Sequence, residues 1–129
     1  MAEAIYNRLT NSANASSAGT RVDGVGETLS EFGQRPEVVS FTLDVMRDAG
    51  YDIGNKRQTQ LTQDMLRDYD LVVSMAGKRY TPRWLSNAPN YEYWKITDPK
   101  GRSYAVTKHA KDEVARKVRD LVASQENSA

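Results

Sequence analysis

Candidate catalytic side chains are few in this sequence. His109 is the single histidine and cysteine is absent, so the chain supplies neither a histidine-activated thiol nor a cysteine-ligated metal site. Asp44, Asp48 and Asp52 keep helical spacing only in part, and Gly50 interrupts them, which favours a solvated helix end over an acidic metal site. We predict no metal ion and no cofactor.

The acid in the most informative context is Asp98. It follows the segment Trp94-Lys95-Ile96-Thr97 and is itself followed by Pro99. An isolated Asp-Pro pair is usually a turn, because the aspartate side chain bonds to the backbone beyond it. Gly24 and Gly26 lack the third glycine and the preceding strand of a dinucleotide-binding loop. Local motifs therefore indicate no activity by themselves.

Size and charge restrict the class of protein. The 129 residues fit one domain, 1–129, with a single core. The 18 basic and 17 acidic residues nearly cancel, which argues against binding to nucleic acid or to an anionic membrane surface. No apolar run approaches the roughly 20 residues of a membrane span, and the first residues lack the features of a signal peptide. We expect a cytoplasmic protein.

The elements that must position any site alternate between helix and strand. Helices are predicted for five segments by apolar spacing, proline and end signals: residues 2–10, Pro36 to Gly50, Thr62–Arg67, Tyr80–Leu85 and Val106–Val122. In the second of these, Val39, Leu43 and Met46 form the apolar stripe, and Pro36 occupies the first turn. Residues 22–35 are predicted to be an irregular connection, and Ser124–Ala129 a frayed tail.

Three segments are predicted to be strands. Asn14–Thr20 is a small-residue run that ends near a glycine, Asp70–Met75 is almost continuously apolar, and Tyr91–Ile96 alternates apolar and charged residues. Residues 97–101 form a loop. Strands separated by helices predict an α/β fold, with three α/β/α layers around a parallel sheet. The aromatic residues from Trp84 to Trp94 are predicted to lie in the core and at its rim.

Four segments occur in the order and approximate spacing seen in the low-molecular-weight protein tyrosine phosphatases and the thioredoxin-linked arsenate reductases. They are Met1-Ala2-Glu3-Ala4, Ser17-Ala18-Gly19-Thr20, Asp70-Leu71-Val72-Val73-Ser74-Met75 and Trp94-Lys95-Ile96-Thr97-Asp98-Pro99. The segment from Asp112 to Arg119 also resembles the terminal helix of that family. The sequence is identified as a member of this family over nearly its whole length.

The resemblance implies a missing anion-binding loop. In the family, a first strand leads into a loop of Cys, five residues and Arg, and the Met-Ala-Glu-Ala helix follows directly. Backbone N–H groups and the Arg bind phosphate or arsenate there, and they lower the pKa of the Cys. Because Met1 stands where that helix begins, we expect an N-terminally truncated domain. Phosphate or another oxyanion is expected to bind if the upstream loop is restored.

Two residues match the family's site. Asp98 matches the general acid, which protonates the leaving oxygen as a cysteinyl-phosphate forms and then helps to activate water. Ser17 matches the serine that supports the phosphate loop, although a small residue packed at a strand end explains it equally well. The nucleophilic Cys and the phosphate-binding Arg have no counterpart in the chain.

Two departures from the family concern the substrate. Phosphatases often have an aromatic residue after Asp-Pro, whereas this chain has Lys100, with Tyr104 displaced, which weakens the expectation of an aryl-phosphate preference. The reductases need further cysteines after the third strand for disulfide chemistry, and residues 76–90 contain none. The second departure argues against a reductase.

The expected fold lacks the family's first, central strand, between the strands at 14–18 and 70–75. We expect the remaining strands to close up, or a second copy to complete the sheet in a homodimer by strand or helix exchange, since unmade backbone hydrogen bonds are costly. Two functions stay open. The chain is either an incomplete, inactive cysteine-dependent phosphatase, or a catalytically dead binding or oligomerisation module of the same fold; a remnant of an arsenate reductase is a further alternative.

Overall fold

The computed structural model of the protein describes residues 1–127. Its α-helices are α1 (Ala2–Thr10), α2 (Leu29–Gly33), α3 (Thr42–Asp48), α4 (Arg83–Ser86) and α5 (Tyr104–Asn127), and two 3₁₀ helices span Gln63–Asp68 and Lys78–Tyr80. The strands are β1 (Val72–Ser74) and β2 (Tyr91–Tyr93). None of the described helices is long and apolar enough to cross a membrane.

The main core lies between the two longest helices and the sheet. α5 presents an apolar face to α1 and α3, and the buried cluster consists of Ile5, Met46, Ile53, Trp94, Val114, Val118 and Val122. The hydroxyl of Tyr6 in α1 also donates to Oε1 of Gln125 at 2.8 Å, near the end of α5. The apolar stripe predicted for the last helix is thus confirmed, with Val118 only 1% exposed.

The strands confirm the predicted α/β class and the parallel sheet. β1 and β2 pair in parallel, with Val72 opposite Tyr91 and Ser74 opposite Tyr93. Val73 packs against the main core, whereas Ser74, which points to the other face, is also buried. Both faces of β1 are therefore covered, as expected for a strand inside a layered α/β fold. The missing central strand stays a prediction.

The predicted strand at Asn14–Thr20 is wrong. The segment is extended, but its pairing within the described residues is limited to an isolated bridge between Gly19 and Gln60. Further upstream, the amide of Asn7 takes the place of a neighbouring strand: its Nδ2 donates to the carbonyl of Ala15 at 3.1 Å, and its Oδ1 accepts from the Ala15 N–H at 2.9 Å. A side chain therefore satisfies backbone groups that a ladder was expected to satisfy.

The region before α3 also differs from expectation. Pro36 lies in a turn, and Val39 precedes the helix and is 60% exposed, so neither belongs to the helix that was predicted around them. Within the predicted irregular connection 22–35, α2 forms because Thr28 and Glu31 make a reciprocal capping box. Leu43 and Met46 do pack into the core as predicted.

Smaller differences occur at the remaining elements. The helix predicted at Thr62–Arg67 is a 3₁₀ helix, and the one predicted at Tyr80–Leu85 is divided into a 3₁₀ turn and α4, with Pro82 as the N-cap of α4. Residues 124–127 continue α5, so they are not a frayed end. Ser128 and Ala129, the rest of the predicted tail, lie outside the described residues.

Candidate functional site

Asp98 lies in an exposed turn after β2. Its Oδ1 accepts a hydrogen bond from the N–H of Lys100 at 3.0 Å, and the carbonyl of Pro99 accepts from the N–H of Arg102 at 3.0 Å. Gly101 has a φ of +69°, a conformation that suits glycine and reverses the chain. The predicted loop at 97–101 is confirmed. The Asp98 side chain thus bonds to the backbone of its own turn, and Asp98 remains exposed to solvent.

Contacts with the segment around α3 fix this turn in place. The N–H of Gly101 donates to the carbonyl of Val39 at 3.2 Å. Three residues later, the hydroxyl of Tyr104 donates to Oδ2 of Asp48 at 2.6 Å, and its ring meets Phe41 edge to face at 6.2 Å between centroids. The hydrogen bond to Asp48 raises the pKa of Tyr104, because it stabilises the protonated phenol. The Asp98 turn is therefore anchored on both the loop and the helix side.

Ser17 lies beside the first turn of α1. Its Oγ donates to Oε2 of Glu3 at 3.1 Å, while Nζ of Lys56 lies 2.6 Å from Oε1 of the same carboxylate. The Glu3 side chain is only 12% exposed. Ser17 is thus positioned by a largely buried carboxylate at the start of α1.

The two sequence-predicted site residues make separate contacts. Among residues 1–127, no hydrogen bond or ion pair joins Asp98 to Ser17; each bonds within its own neighbourhood. No group of three or more histidine, aspartate or glutamate side chains in the described chain is arranged to hold a metal ion. The candidate site therefore consists of the exposed Asp98 carboxylate on an anchored loop and, separately, the Ser17 hydroxyl beside the start of α1.

Sequence reasoning missed Glu3 and Lys56, the residues that position Ser17. Glu3 carried one signal, since an acidic residue in the first turn favours the helix N-terminus. Lys56 carried none, because it belongs to an irregular loop far from Glu3 in sequence. The pair is visible only once the fold brings the loop at 54–60 against α1.

The comparison with protein families decides the ancestry of this arrangement. Residues 1–128 match the family described as low molecular weight phosphotyrosine protein phosphatase. The chain belongs to that family. The matched range includes α1, the Ser17 segment, β1, β2, the Asp98 turn and α5, so the resemblance noted from four segments is confirmed.

One curated protein and one solved structure are similar to this chain. A glutaredoxin arsenate reductase of Synechocystis sp. is 28% identical over 83 residues, which cover 63% of this chain and 63% of the reductase. The aligned part thus spans under two thirds of that protein. The structure of Vibrio vulnificus Wzb in complex with benzylphosphonate superposes with a TM-score of 0.75 at 18% identity, covering 95% of this chain and 87% of Wzb. This family member therefore has the Wzb fold.

Proposed function

We propose that these 129 residues form the part of a low-molecular-weight phosphatase domain that carries the general acid and lacks the nucleophile. The carrying observation is that a chain matching the family over residues 1–128 contains no cysteine. A cysteinyl-phosphate cannot form on it, so the chain by itself is inactive towards phosphate esters. Its reaction class in the complete site is cysteine-dependent hydrolysis of a phosphomonoester.

Asp98 is the proposed general acid. Its carboxylate is exposed, it lies in a turn anchored to residues 39–48, and its only hydrogen bond among the described residues comes from the Lys100 N–H to Oδ1. Oδ2 is therefore available to protonate a leaving oxygen, and later to accept a proton from the attacking water. The hydrogen bond to Oδ1 orients the carboxylate and leaves Oδ2 free to exchange the proton.

Ser17 is proposed to support the phosphate-binding loop when that loop is present. It lies at the start of α1, where backbone N–H groups and the helix dipole favour an anion. Wzb, which shares the fold, was solved with benzylphosphonate bound. We infer that phosphate or a related oxyanion is the ligand of the completed site, and that Glu3, which accepts the Ser17 proton, fixes the position of that hydroxyl.

A kinetic experiment tests this proposal. The 129-residue chain is assayed with para-nitrophenyl phosphate and compared with buffer; no excess hydrolysis is expected. A chimera then receives a strand and a Cys-x5-Arg loop from a relative before Met1, and we expect turnover that Asp98→Asn lowers by about 10²- to 10⁴-fold. Asp120→Asn, which changes an exposed acid on α5, is the control. Turnover by the unextended chain that Asp98→Asn abolishes would overturn the proposal.

A binding or oligomerisation module is the second candidate, and the sheet favours it. In the described chain β1 pairs with β2 along one edge, and no strand covers its other edge. Exposed strand edges pair readily with another chain. We propose a homodimer by strand or helix exchange in the absence of the nucleophile loop. Sedimentation velocity over a dilution series tests it, and a monomer at low micromolar concentration excludes obligatory exchange.

The remaining alternative is a remnant of an arsenate reductase. The Synechocystis relative favours it, whereas the lack of cysteine in residues 76–90 opposes it. Reduction of arsenate by the chimera with a thiol donor would favour this alternative. The cytoplasmic location stays a prediction.

A further inference from the structure

The loop between the Ser17 segment and α2 contains an aspartate that is followed directly by a glycine. Asp23 and Gly24 lie in a bend, and the Asp23 side chain is 80% exposed. The carboxyl carbon of an aspartate lies within reach of the next residue's backbone nitrogen, with which it can close a five-membered ring. A glycine in the second position favours this ring, because no Cβ hinders the approach. The pair therefore has the covalent arrangement that aspartate isomerisation requires.

The peptide group between Asp23 and Gly24 has a free nitrogen and a bonded carbonyl. Within residues 1–127, the N–H of Gly24 makes no hydrogen bond. The carbonyl of Asp23 accepts a hydrogen bond from Nε2 of Gln58 at 2.9 Å. A donor on a peptide carbonyl draws electron density from the peptide nitrogen, so the N–H proton becomes easier to remove. Gln58 thus prepares the Gly24 nitrogen for proton loss without blocking it.

A carboxylate oxygen without a hydrogen-bond partner lies beside this peptide group. Oε1 of Glu27 is buried and makes no hydrogen bond in the described chain, and it lies 3.2 Å from the position that a Cβ on Gly24 would occupy. Its other oxygen, Oε2, is held by Nη2 of Arg35 at 3.1 Å. A carboxylate that is fixed at one oxygen and unpaired at the other can accept a proton from a neighbouring donor. Glu27 is therefore placed to take the Gly24 amide proton.

We propose that Asp23-Gly24 is a modification site at which the aspartate converts to isoaspartate through a cyclic imide. The Gly24 nitrogen bonds to Cγ of the protonated Asp23 carboxyl, Glu27 carries the amide proton to the departing hydroxyl, and one water leaves. Water then adds to the main-chain carbonyl of the ring and breaks its bond to the nitrogen. The chain afterwards continues through Cγ, and the main-chain carbon ends as a free carboxylate. The reaction needs no reactant besides water and is independent of the proposed phosphatase chemistry.

Arg35 opposes the reaction by holding the starting carboxylate. Its Nη1 donates to Oδ2 of Asp23 at 3.0 Å, and this contact stabilises the ionised carboxylate, which does not react. The pair still opens often, because ion pairs that involve an exposed side chain are weak. Arg35 therefore slows the isomerisation and Glu27 accelerates it, so the two effects can be separated by substitution.

Isoaspartate would change a contact between two loops. The carbonyl that accepts from Gln58 becomes part of a free carboxylate, and an additional carbon separates Cα of Asp23 from Gly24. The neighbouring main-chain bonds must adjust, namely those from the Gly26 N–H to the Gln58 carbonyl and from the Gln58 N–H to the Glu27 carbonyl, both at 2.8 Å. We expect the isomerised chain to melt roughly 2–6 °C lower, as for the loss of about one hydrogen bond.

Ageing of the intact 129-residue chain tests the site. The protein is kept at neutral pH over several weeks and then digested with endoproteinase Asp-N, which cleaves before aspartate but not before isoaspartate. We expect a growing fraction of peptides that are uncut before Asp23 and have the mass of the unmodified sequence, together with an imide form lighter by one water. Asn11 is the internal control. The Ser12 N–H that would attack it donates to the carbonyl of Asn7 at 2.9 Å, so Asn11 should stay intact.

Matched substitutions assign the reaction to the groups around the peptide. Asp23→Glu should abolish it, because the longer side chain would have to close a less favourable, larger ring. Glu27→Gln should slow it, since an amide does not accept the proton. Arg35→Gln should accelerate it by up to about fivefold, the equivalent of about 1 kcal/mol for an exposed ion pair. Glu126→Gln and Arg119→Gln, exposed changes on α5, should age as the wild type does.

Two outcomes would overturn the proposal. One is complete Asp-N cleavage before Asp23 after ageing, equal to that of the fresh protein. The other is one common rate in the wild type, Glu27→Gln and Arg35→Gln that also equals the rate in concentrated urea, which would mean that the dipeptide alone sets the reaction. Circular dichroism confirms that each variant is folded before ageing. The result with the phosphatase chimera has no bearing on these rates.

Discussion

The hydroxyl of Tyr104 lies 2.6 Å from Oδ2 of Asp48, so the first residue of α5 is tied to the last residue of α3. The bond connects the turn that holds Asp98 to the central helices. Because it needs the phenolic proton, it raises the pKa of Tyr104 above its ordinary value. Deprotonation of Tyr104 at alkaline pH should therefore break this bond and weaken the anchoring of the turn that holds Asp98.

Tyr104→Phe should lower stability below pH 10, and this loss should disappear as the pH rises through the raised folded-state pKa of Tyr104. A raised folded-state pKa adds stability that is fully present below the unfolded pKa of about 10, and that is lost as pH rises through the folded value. Urea midpoints of wild type and variant are compared across this range. Tyr69→Phe, at an exposed tyrosine, is the control. A midpoint difference that stays constant to high pH would contradict the prediction.

Glu3→Gln should destabilise the chain more than Ser17→Ala. Ser17→Ala removes one hydrogen bond, at about 0.5–1 kcal/mol, whereas Glu3→Gln also removes the charge facing Lys56 in a largely buried position, at about 1–3 kcal/mol in total. Urea denaturation measures both free energies of unfolding. Glu126→Gln, on the exposed side of α5, should change little. Equal losses of unfolding free energy in Ser17→Ala and Glu3→Gln would contradict the view that the Glu3 carboxylate stabilises both Ser17 and Lys56.

Gly50→Ala should cost about 1–2 kcal/mol, because the residue follows α3 at a φ of +91°, where a Cβ is strained. The added Cβ would also lie 3.3 Å from Nη1 of Arg8. Gly77→Ala is the matched control, since nothing lies within 4 Å of its Cβ and its φ is −61°. There we expect a gain of about 0.4–1 kcal/mol. Thermal and urea unfolding of both variants checks the opposite signs.

Leu85→Ala should cost about 2–5 kcal/mol, because Leu85 in α4 is 1% exposed and its loss leaves a buried cavity. Leu9→Ala makes the same chemical change at a side chain that is 49% exposed, and should cost under about 0.5 kcal/mol. Denaturant unfolding measures the pair. A similar loss in both variants would mean that α4 is not packed as the structure describes.

Arg35→Lys should lower the melting temperature more than Arg47→Lys. Arg35 bridges Asp23 and Glu27 at 3.0 and 3.1 Å and so organises the loop before α2, whereas Arg47 makes one exposed pair with Asp44. A lysine cannot reproduce the two-pronged contact. Differential scanning calorimetry compares the two variants with wild type. An equal shift in melting temperature would mean that the glycines and the Thr28 capping box, and not the Arg35 ion pairs, order the loop.

Long apolar periodicity was sufficient to predict α5, since Ala110, Val114 and Val118 recur on one face and are all buried. The two parallel strands could be predicted from their own patterns, because Asp70–Met75 is almost continuously apolar and Tyr91–Ile96 alternates apolar and charged residues. Shorter elements depend on single contacts. The Thr28 and Glu31 capping box that creates α2 was present in the sequence and was overlooked, because five residues show no clear period.

Other features had no signal that sequence reasoning could use. The segment 14–20 has the composition of a tight strand, but its backbone bonds to the amide of Asn7, an arrangement that no strand pattern encodes. Asp98 was identified through family resemblance, whereas its anchoring by Val39 depends on tertiary structure. Arg21 and Arg79 are far apart in the chain, and their common neighbour Tyr80 is apparent only in the tertiary structure.

The bond between Tyr6 and Gln125 joins residues 119 positions apart and has a consequence for synthesis. Ribosomes add about 5–20 residues per second, so α1 leaves the ribosome roughly 6–24 s before the partner helix that covers Ile5. During that interval the apolar face of α1 is open to chaperones and to other nascent chains. The nascent chain can therefore complete its main core only after α5 has been synthesised, and the yield of folded protein should depend on what protects α1 until then.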